Sequence, residues 1–183
     1  MNRPGIVLVF SGPAGAGKDT LSNLIIAKTT FLRFPTYTTR AMRPGERDEE
    51  HYRFITRESF NELVADGAIF DPVGRGDLYG LPLKQLTTLQ ASGQSIIVHL
   101  VAASAFKLKR LRPEIITALI LPPSADVGAS RLRRRGMTDE DIWRRVQNEP
   151  VPMPGNHDLV VINHENEQQA AVDQILNFVT RIE

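Results

Sequence analysis

The chain has 183 residues, 42% of them hydrophobic, which is enough apolar material for one well-packed domain and too little for two large independent cores. Its 22 Lys and Arg against 21 Asp and Glu leave a net charge of +1, so no global field recruits nucleic acid or an anionic membrane surface. The absence of cysteine excludes disulfides and thiolate metal sites and suits a reducing compartment. The opening stretch MNRPGIVLVF has neither the length nor the cleavage site of a signal peptide, and no apolar run reaches membrane-spanning length, so a soluble cytoplasmic protein is expected.

In chain order, IVLVF (6–10) reads as a buried strand, followed by a glycine-rich turn and a helical pattern over 18–29. RFPTY (33–37) carries a proline, which places it towards a sheet edge. Residues 36–92 interrupt the alternation of strand and helix. YRFI, AIFDPV and LYG read there as short strands around a helix at 57–66, with Thr56 before it and Gly67 after it, and the segment looks like an inserted α+β substructure. Pro82 suits the first turn of a helix over 83–91, and Gly93 suits its stop. SIIVHL (95–100) and IITALIL (115–121) are strands flanking a helix at 102–111. Helices follow at 124–135, stopped at Gly136, and at 139–149, where Thr138 and Asp141 form a shortened capping-box-like start. The proline-rich EPVPMPGNHD (149–158) is a connection, LVVIN (159–163) a further strand, and 166–181 the last helix. The four longest apolar runs are nearly continuous, as in strands covered on both faces, and they predict a parallel sheet in an α/β fold with ligands at the carboxyl ends of its strands.

GPAGAGKDT (12–20) nearly spells the phosphate-loop pattern G-x-x-x-x-G-K-[ST]. Directly after a strand and before a helix, such a turn aims backbone N–H groups and the positive end of the helix at a phosphate. Gly12, Pro13, Ala14, Gly15, Ala16 and Gly17 form the cradle, and Lys18 supplies a point charge for the outer phosphates. The bland alternative is a generic glycine turn whose Asp favours a helix start, but strand, glycines, lysine and helix fall in the required order. Asp19 occupies the place of the usual Mg²⁺-ligating hydroxyl, and Thr20 carries the hydroxyl one residue later. A carboxylate is tolerable beside phosphates only with a cation between them or if it points into solvent. Asp19 is expected to bind the nucleotide's Mg²⁺ directly or through water, with Thr20 as the displaced hydroxyl.

Beyond the loop, the chain resembles the guanylate kinase family over nearly its whole length. SGPAGAGKDTL is similar to the family's SGPSGAGKSTL, and YTTRAMRPGERDEEHYRF to its TTRxxRxGExxGxxYxF; GDLYG, LPPS followed by RLRRRG, and DLVVIN follow in family order. The resemblance implies a P-loop three-layer α/β fold with a five-stranded parallel sheet, an acceptor-binding insertion and an arginine-bearing helical lid. It implies one domain with a core of 1–35, 93–130 and 151–183, an insertion at 36–92 and a lid at 131–150. It implies ATP and Mg²⁺ as cofactors, and a small phosphomonoester acceptor gripped through its phosphate by Arg40, Arg43, Tyr52 and Tyr79. Two guanidinium forks and two phenol hydroxyls can complete a phosphate's hydrogen-bond shell. Arg131, Arg133, Arg134 and Arg135, with Arg144 and Arg145, can lay positive charge over a phosphate chain, and by resemblance Arg135 and Arg145 are the lid arginines. Interleaved Asp139, Glu140 and Asp141, with few aromatics, argue against a nucleic-acid patch.

Base recognition departs from the family. Its guanine-reading hydroxyl is retained as Thr36 and its glutamate is shortened to Asp71, but Leu81 lacks the second hydroxyl, and His99 and Val101 stand where the family carries carboxylates. His99 is expected to be a partly buried structural histidine, and Asp19 compensates for the carboxylate lost near the Mg²⁺ shell. Strict guanine specificity is therefore weakened. The first reading is an ATP-dependent kinase of GMP or dGMP with altered or broadened base recognition. The second is a ribose 1,5-bisphosphate phosphokinase, whose family shares the GKD[ST] loop and a YGxP-like segment, here YGLP. The third is a non-catalytic guanylate-kinase-like phosphopeptide module, against which Lys18 and the lid arginines speak. Closure of the insertion and lid over the bound substrates is expected, because a kinase must keep water from the transferring group.

Overall fold

The computed structural model describes residues 3–43, 45–148 and 154–182. The chain divides into two compact units, Met1–Val7 with Thr30–His99, and Leu8–Thr29 with Leu100–Glu183.

Every longer apolar run becomes a strand. β1 (Val7–Ser11), β7 (Ile96–His99), β8 (Ile116–Leu121) and β9 (Leu159–Ile162) join β2 (Leu32–Phe34) in a five-stranded sheet of order β2-β7-β1-β8-β9. The registered pairs of that sheet are parallel: β2 with β7, β1 with β8, and β8 with β9. All five residues of β1 are buried, as expected of a strand covered on both faces. β2 does lie at the edge, but RFPTY is not one strand. The chain leaves the sheet at Pro35, which has no N–H for a ladder, and β3 (Thr36–Thr38) belongs to a second sheet.

That second sheet lies within the first unit. Its order is β4-β3-β6-β5, with β4 (Tyr52–Phe54), β5 (Phe70–Val73) and β6 (Tyr79–Leu81). β3 pairs parallel with β4 and antiparallel with β6. Its helix α2 (Arg57–Ala65) is capped by Thr56, whose Oγ1 accepts the Ser59 N–H at 3.1 Å. Phe60 and Leu63 of α2 pack with Tyr37, Ile69 and Leu78 into the core of this unit. α3 (Leu83–Ala91) completes it, with Pro82 just outside the helix at the N-cap.

In the second unit, α1 (Lys18–Ile26) packs against the C-terminal helix α7 (Gln168–Ile182), burying Leu21 and Ile25 from one and Ala171, Val172, Ile175 and Val179 from the other. At about 1.5–3 kcal/mol for each fully buried large aliphatic side chain, that seam makes a large contribution to fixing α1. α4 (Ala102–Leu111) packs on β8, and α5 (Ala125–Arg134) on α6 (Asp139–Asn148). Ser124 caps α5 through the Val127 N–H, and Thr138 caps α6 through the Asp141 N–H at 3.2 Å. Residues 149–153 of the proline-rich connection lie outside the described residues. No helix among the described residues is long and apolar enough to cross a membrane.

Candidate functional site

The second unit carries the phosphate loop as one continuous turn between β1 and α1. Gly12 has φ 130°, and a Cβ there would lie 1.9 Å from the carbonyl oxygen of Ile120 in β8. Gly17, the N-cap of α1, is left-handed with φ 89°, and a Cβ would lie 2.2 Å from Asn163 Nδ2. Both positions combine a disfavoured backbone with a close neighbour, so glycine is required at each. Lys18 curls back over the turn, and its Nζ donates to the carbonyls of Gly12 at 2.6 Å and Pro13 at 3.0 Å. Asp19 is half-buried and Thr20 is exposed.

A cleft of about 460 Å³ opens beside the loop, lined by Gly17, Thr20, Arg131, Arg134, Arg135 and Asn163, with Glu165, Asn166 and Gln168. Arg135 and two of the loop residues therefore share one cavity, whereas Pro13 through Ala16, Asp19 and Arg145 are not part of its lining.

The arginines of α5 and α6, equivalent by composition, separate by partner. Arg133 pairs with Asp139 at 2.6 Å, Arg134 pairs with Glu165, and Arg144 pairs with Glu140 at 3.0 Å and Asp141 at 3.4 Å. The Arg134 hydrogen bond and charge hold Glu165 below the usual carboxylate range. Arg131 is turned onto loop carbonyls. Among the described residues, Arg135 has no hydrogen bond or ion pair from its guanidinium, and Arg145 contacts only the Met137 sulfur at 3.7 Å.

The segment that returns to β9 is tied down next to the loop's root. His157 Nε2 is hydrogen-bonded to Ser11 Oγ at 2.7 Å, Ser11 being fully buried at the end of β1. Asp158 accepts from Thr117 N at 2.8 Å and Thr117 Oγ1 at 2.9 Å and pairs with Lys109 at 2.9 Å. Burial favours the neutral acid here, but the Lys109 hydrogen bond, the two Thr117 donors and the Lys109 charge outweigh it and hold Asp158 below its ordinary range.

In the first unit, three of the four expected phosphate-gripping residues come together. Thr38 is the pivot: it is opposite Phe54 in β4 and Tyr79 in β6, and its hydroxyl accepts the Arg40 N–H at 3.1 Å. The Arg40 guanidinium lies over Tyr52 at 5.4 Å and Phe54 at 5.3 Å from the ring centroids, and the Tyr52 and Tyr79 rings meet edge-on at 5.8 Å. Glu46 grips the fork with both oxygens, each at 2.9 Å, and accepts the Arg43 backbone N–H at 2.7 Å. Burial opposes the Arg40 charge, but pairing with Glu46 more than offsets it and raises its pKa above the ordinary arginine value. Burial likewise favours neutral Glu46, and the Arg40 and Arg43 hydrogen bonds and charges outweigh it, so the carboxyl titrates below its usual range. The fourth residue, Arg43, has an exposed side chain.

The expected base-reading residues do not assemble in the same way. Thr36 is buried in β3, while Asp71, at φ 47°, lies in β5 where the pairing with β6 shifts register; β6 separates the two strands. Leu81 is 1% exposed and belongs to the core. His99 is half-buried, with Nδ1 2.9 Å from Arg33 Nη2, and Val101 is exposed.

Three participants escape a reading of the sequence: Glu46, Asn163 and the inward role of Arg131. Glu46 lies inside the arginine motif, and Asn163 is the one polar residue that closes the apolar run LVVIN, which was the available signal. Asn163 is 2% exposed and donates from Nδ2 to Ala16 O at 2.9 Å.

Residues 4–179 match the protein family described as "Guanylate kinase". The guanylate kinase of Trichormus variabilis is 33% identical over 168 residues, which cover 89% of this chain and 84% of that one. The guanylate kinase of Streptococcus thermophilus is 31% identical over 171 residues, covering 90% and 82%. In fold, the chain is similar to the crystal structure of guanylate kinase from Anaplasma phagocytophilum, with a TM-score of 0.73, 24% identity, and coverage of 99% of this chain and 87% of that one.

Proposed function

The chain belongs to the guanylate kinase family, and from that premise we propose that it transfers the γ-phosphoryl group of ATP to a phosphomonoester, with GMP or dGMP as the first acceptor. An acceptor phosphate oxygen attacks the γ-phosphorus, the bond to the bridging oxygen breaks, and ADP leaves; no general base is needed, because the nucleophile is already an anionic oxygen. The loop 12–18 and Lys18 hold the donor's phosphates, the cleft bordered by Thr20 and Arg135 takes the rest of the donor, and Arg135 and Arg145 neutralise charge on the transferring group. Arg40, Tyr52 and Tyr79, with Arg43, hold the acceptor phosphate. In this reading 36–92 is the acceptor-binding insertion and 131–150 the lid.

One observation carries the reading. Arg133, Arg134 and Arg144 are neutralised by carboxylates, while Arg135 and Arg145 meet none among the described residues, and Arg135 lines the cleft beside Gly17 and Thr20. A cation without a carboxylate partner beside a phosphate loop is what transfer between two anions requires.

The loop fits Mg²⁺, which typically keeps several waters and needs only one or two protein oxygens beside the phosphates. Thr20, on the cleft, would offer it a hydroxyl, and Asp19 would hold it directly or through water; bound there, the ion would supply positive charge against the donor's phosphates. Asp19→Ser is expected to change the Mg²⁺ dependence of activity, and an unchanged Mg²⁺ titration removes Asp19 from the metal shell.

A second reading is favoured by Arg33. Its guanidinium meets His99, the position at which the family's pattern has a carboxylate, so a cation neighbours a position that resemblance assigns to base reading. That arrangement suits an acceptor with a second anionic group, such as ribose 1,5-bisphosphate. ATP consumption measured side by side with GMP, dGMP, AMP and ribose 1,5-bisphosphate decides between the two. Turnover with GMP or dGMP alone supports the first reading, turnover with the bisphosphate alone supports the second, and no turnover with any of them removes both.

A further inference from the structure

Arg131 stands in the same run as Arg135 and borders the same cleft, yet its guanidinium is taken up by the root of the phosphate loop. Nη2 donates to Asn163 O at 2.7 Å, and Nη1 lies 3.3 Å from Gly15 O and 3.4 Å from Ala16 O. Asn163 adds its Nδ2 to the same Ala16 carbonyl at 2.9 Å and is itself anchored by its N–H on Leu121 O at 2.8 Å, at the end of β8. The geometry of α5 allows this reach. Gly128, one turn before Arg131, brings its carbonyl to 2.4 Å from where a Gly15 Cβ would be, so helix and loop backbones nearly touch.

A trans peptide unit points its C=O and N–H in opposite directions. Holding the Ala16 carbonyl on the protein side with two donors therefore turns the Gly17 N–H outward, towards the concave face. The preceding unit is used internally, since the Ala16 N–H donates to Pro13 O at 3.2 Å. Orientation of the Gly17 amide thus rests on Arg131 and Asn163, residues far from the loop in sequence.

We propose that Arg131 and Asn163 form a brace that sets the phosphate loop in its binding conformation, with Arg131 a positioning residue and not a lid cation. The proposal rests on the reading that this loop holds the donor's phosphates. The brace also pins α5 to the loop one helical turn before Arg135, so the helix that ends in that cation is registered against the loop.

The test uses the full-length chain with Arg131→Gln, Arg131→Lys and, as the contrasting cation, Arg135→Gln. Hydrogen exchange of the backbone amides over 11–21 is measured without ligand, and the affinity for ADP by calorimetry. Arg131→Gln and Arg131→Lys are both expected to speed exchange over 11–21, to leave the remaining peptides unchanged, and to weaken ADP binding about tenfold, because a single ammonium cannot serve three carbonyls as a guanidinium fork does. Arg135→Gln is expected to leave loop exchange at the wild-type rate. Lysine restoring wild-type exchange and affinity would reduce Arg131 to a charge and overturn the brace, as would glutamine leaving both unchanged. If Arg131→Gln fails to fold, Asn163→Ala removes one donor to Ala16 with Arg131 retained, and must move exchange and affinity in the same sense; no movement overturns the proposal. A wild-type chain that binds neither ATP nor ADP would refute the donor reading, while loop exchange would still decide the brace.

Discussion

The two regions proposed to bind phosphate are held by different means. The loop of the second unit is a backbone device: its glycines lie close against Ile120 and Asn163, and its carbonyls are the acceptors for the side chains of Lys18, Arg131 and Asn163. The cluster of the first unit is fixed by side chains, a carboxylate fork on Arg40 and two aromatic rings beneath it. Backbone contacts leave no room for substitution, whereas a side-chain cluster can be weakened by degrees. In the proposed function, the donor's phosphate is met by a rigid device and the acceptor's by an adjustable one.

The comparison breaks most severely at Gly12. Gly12→Ala places a methyl 1.9 Å from the Ile120 carbonyl at a positive φ, so the loop and β8 must part, and a loss of about 3 kcal/mol is expected in urea unfolding together with loss of ATP binding. A stable, nucleotide-binding variant would show that the loop is as adjustable as the cluster. Lys18→Met keeps the stem and removes the ammonium, and kcat is expected to fall about 10²–10³-fold in a coupled ADP-release assay. Arg135→Ala should follow with a loss of about 10²-fold, while Arg134→Ala, already neutralised by Glu165, stays within about threefold. Equal effects at the two positions would remove the distinction between paired and unpaired arginines. In the first unit Glu46→Gln leaves one acceptor oxygen for the two donors of Arg40, and the KM for the acceptor is expected to rise about tenfold with a smaller change in kcat.

What could be read ahead of the structure divides along the same line. The loop was legible because its chemistry is local: strand, glycines, lysine and helix follow one another within GPAGAGKDT. The strands of the parallel sheet were legible because both their faces are covered, and RFPTY misled because Pro35 hides a change of sheet inside one apolar stretch. Glu46 was missed although Arg40 and Arg43 on either side of it were not, since nothing in the pattern says which carboxylate will turn inward. Asn163 and Arg131 meet residues 15–17 only through the fold, and no periodicity announces such a contact. The arginines of α5 and α6 could be counted, but which of them keep a free charge depends on Asp139, Glu140, Asp141 and Glu165, whose side chains choose among several near neighbours.

The smallest expected effect separates the units by acid. Glu46 titrates below the ordinary glutamate range and Asp158 below the ordinary aspartate range, each because its cationic partner and hydrogen bonds outweigh burial. A lowered carboxyl binds its proton more weakly in the folded chain than in the unfolded one, so its stabilisation is complete above the unfolded pKa and disappears as pH falls through the folded one. Side-chain exposures of 23% and 26% leave both ion pairs partly screened, so each contributes of order 1 kcal/mol. Glu46→Gln should flatten the fall in stability that begins below about pH 4.3, and Asp158→Asn the fall that begins below about pH 3.9, in urea titrations repeated down the pH scale. If the flattening by Glu46→Gln extended well below the pH at which Asp158→Asn ceases to matter, the Arg40 fork would be held more tightly than its partial exposure implies, and the adjustable region would be as rigid as the loop.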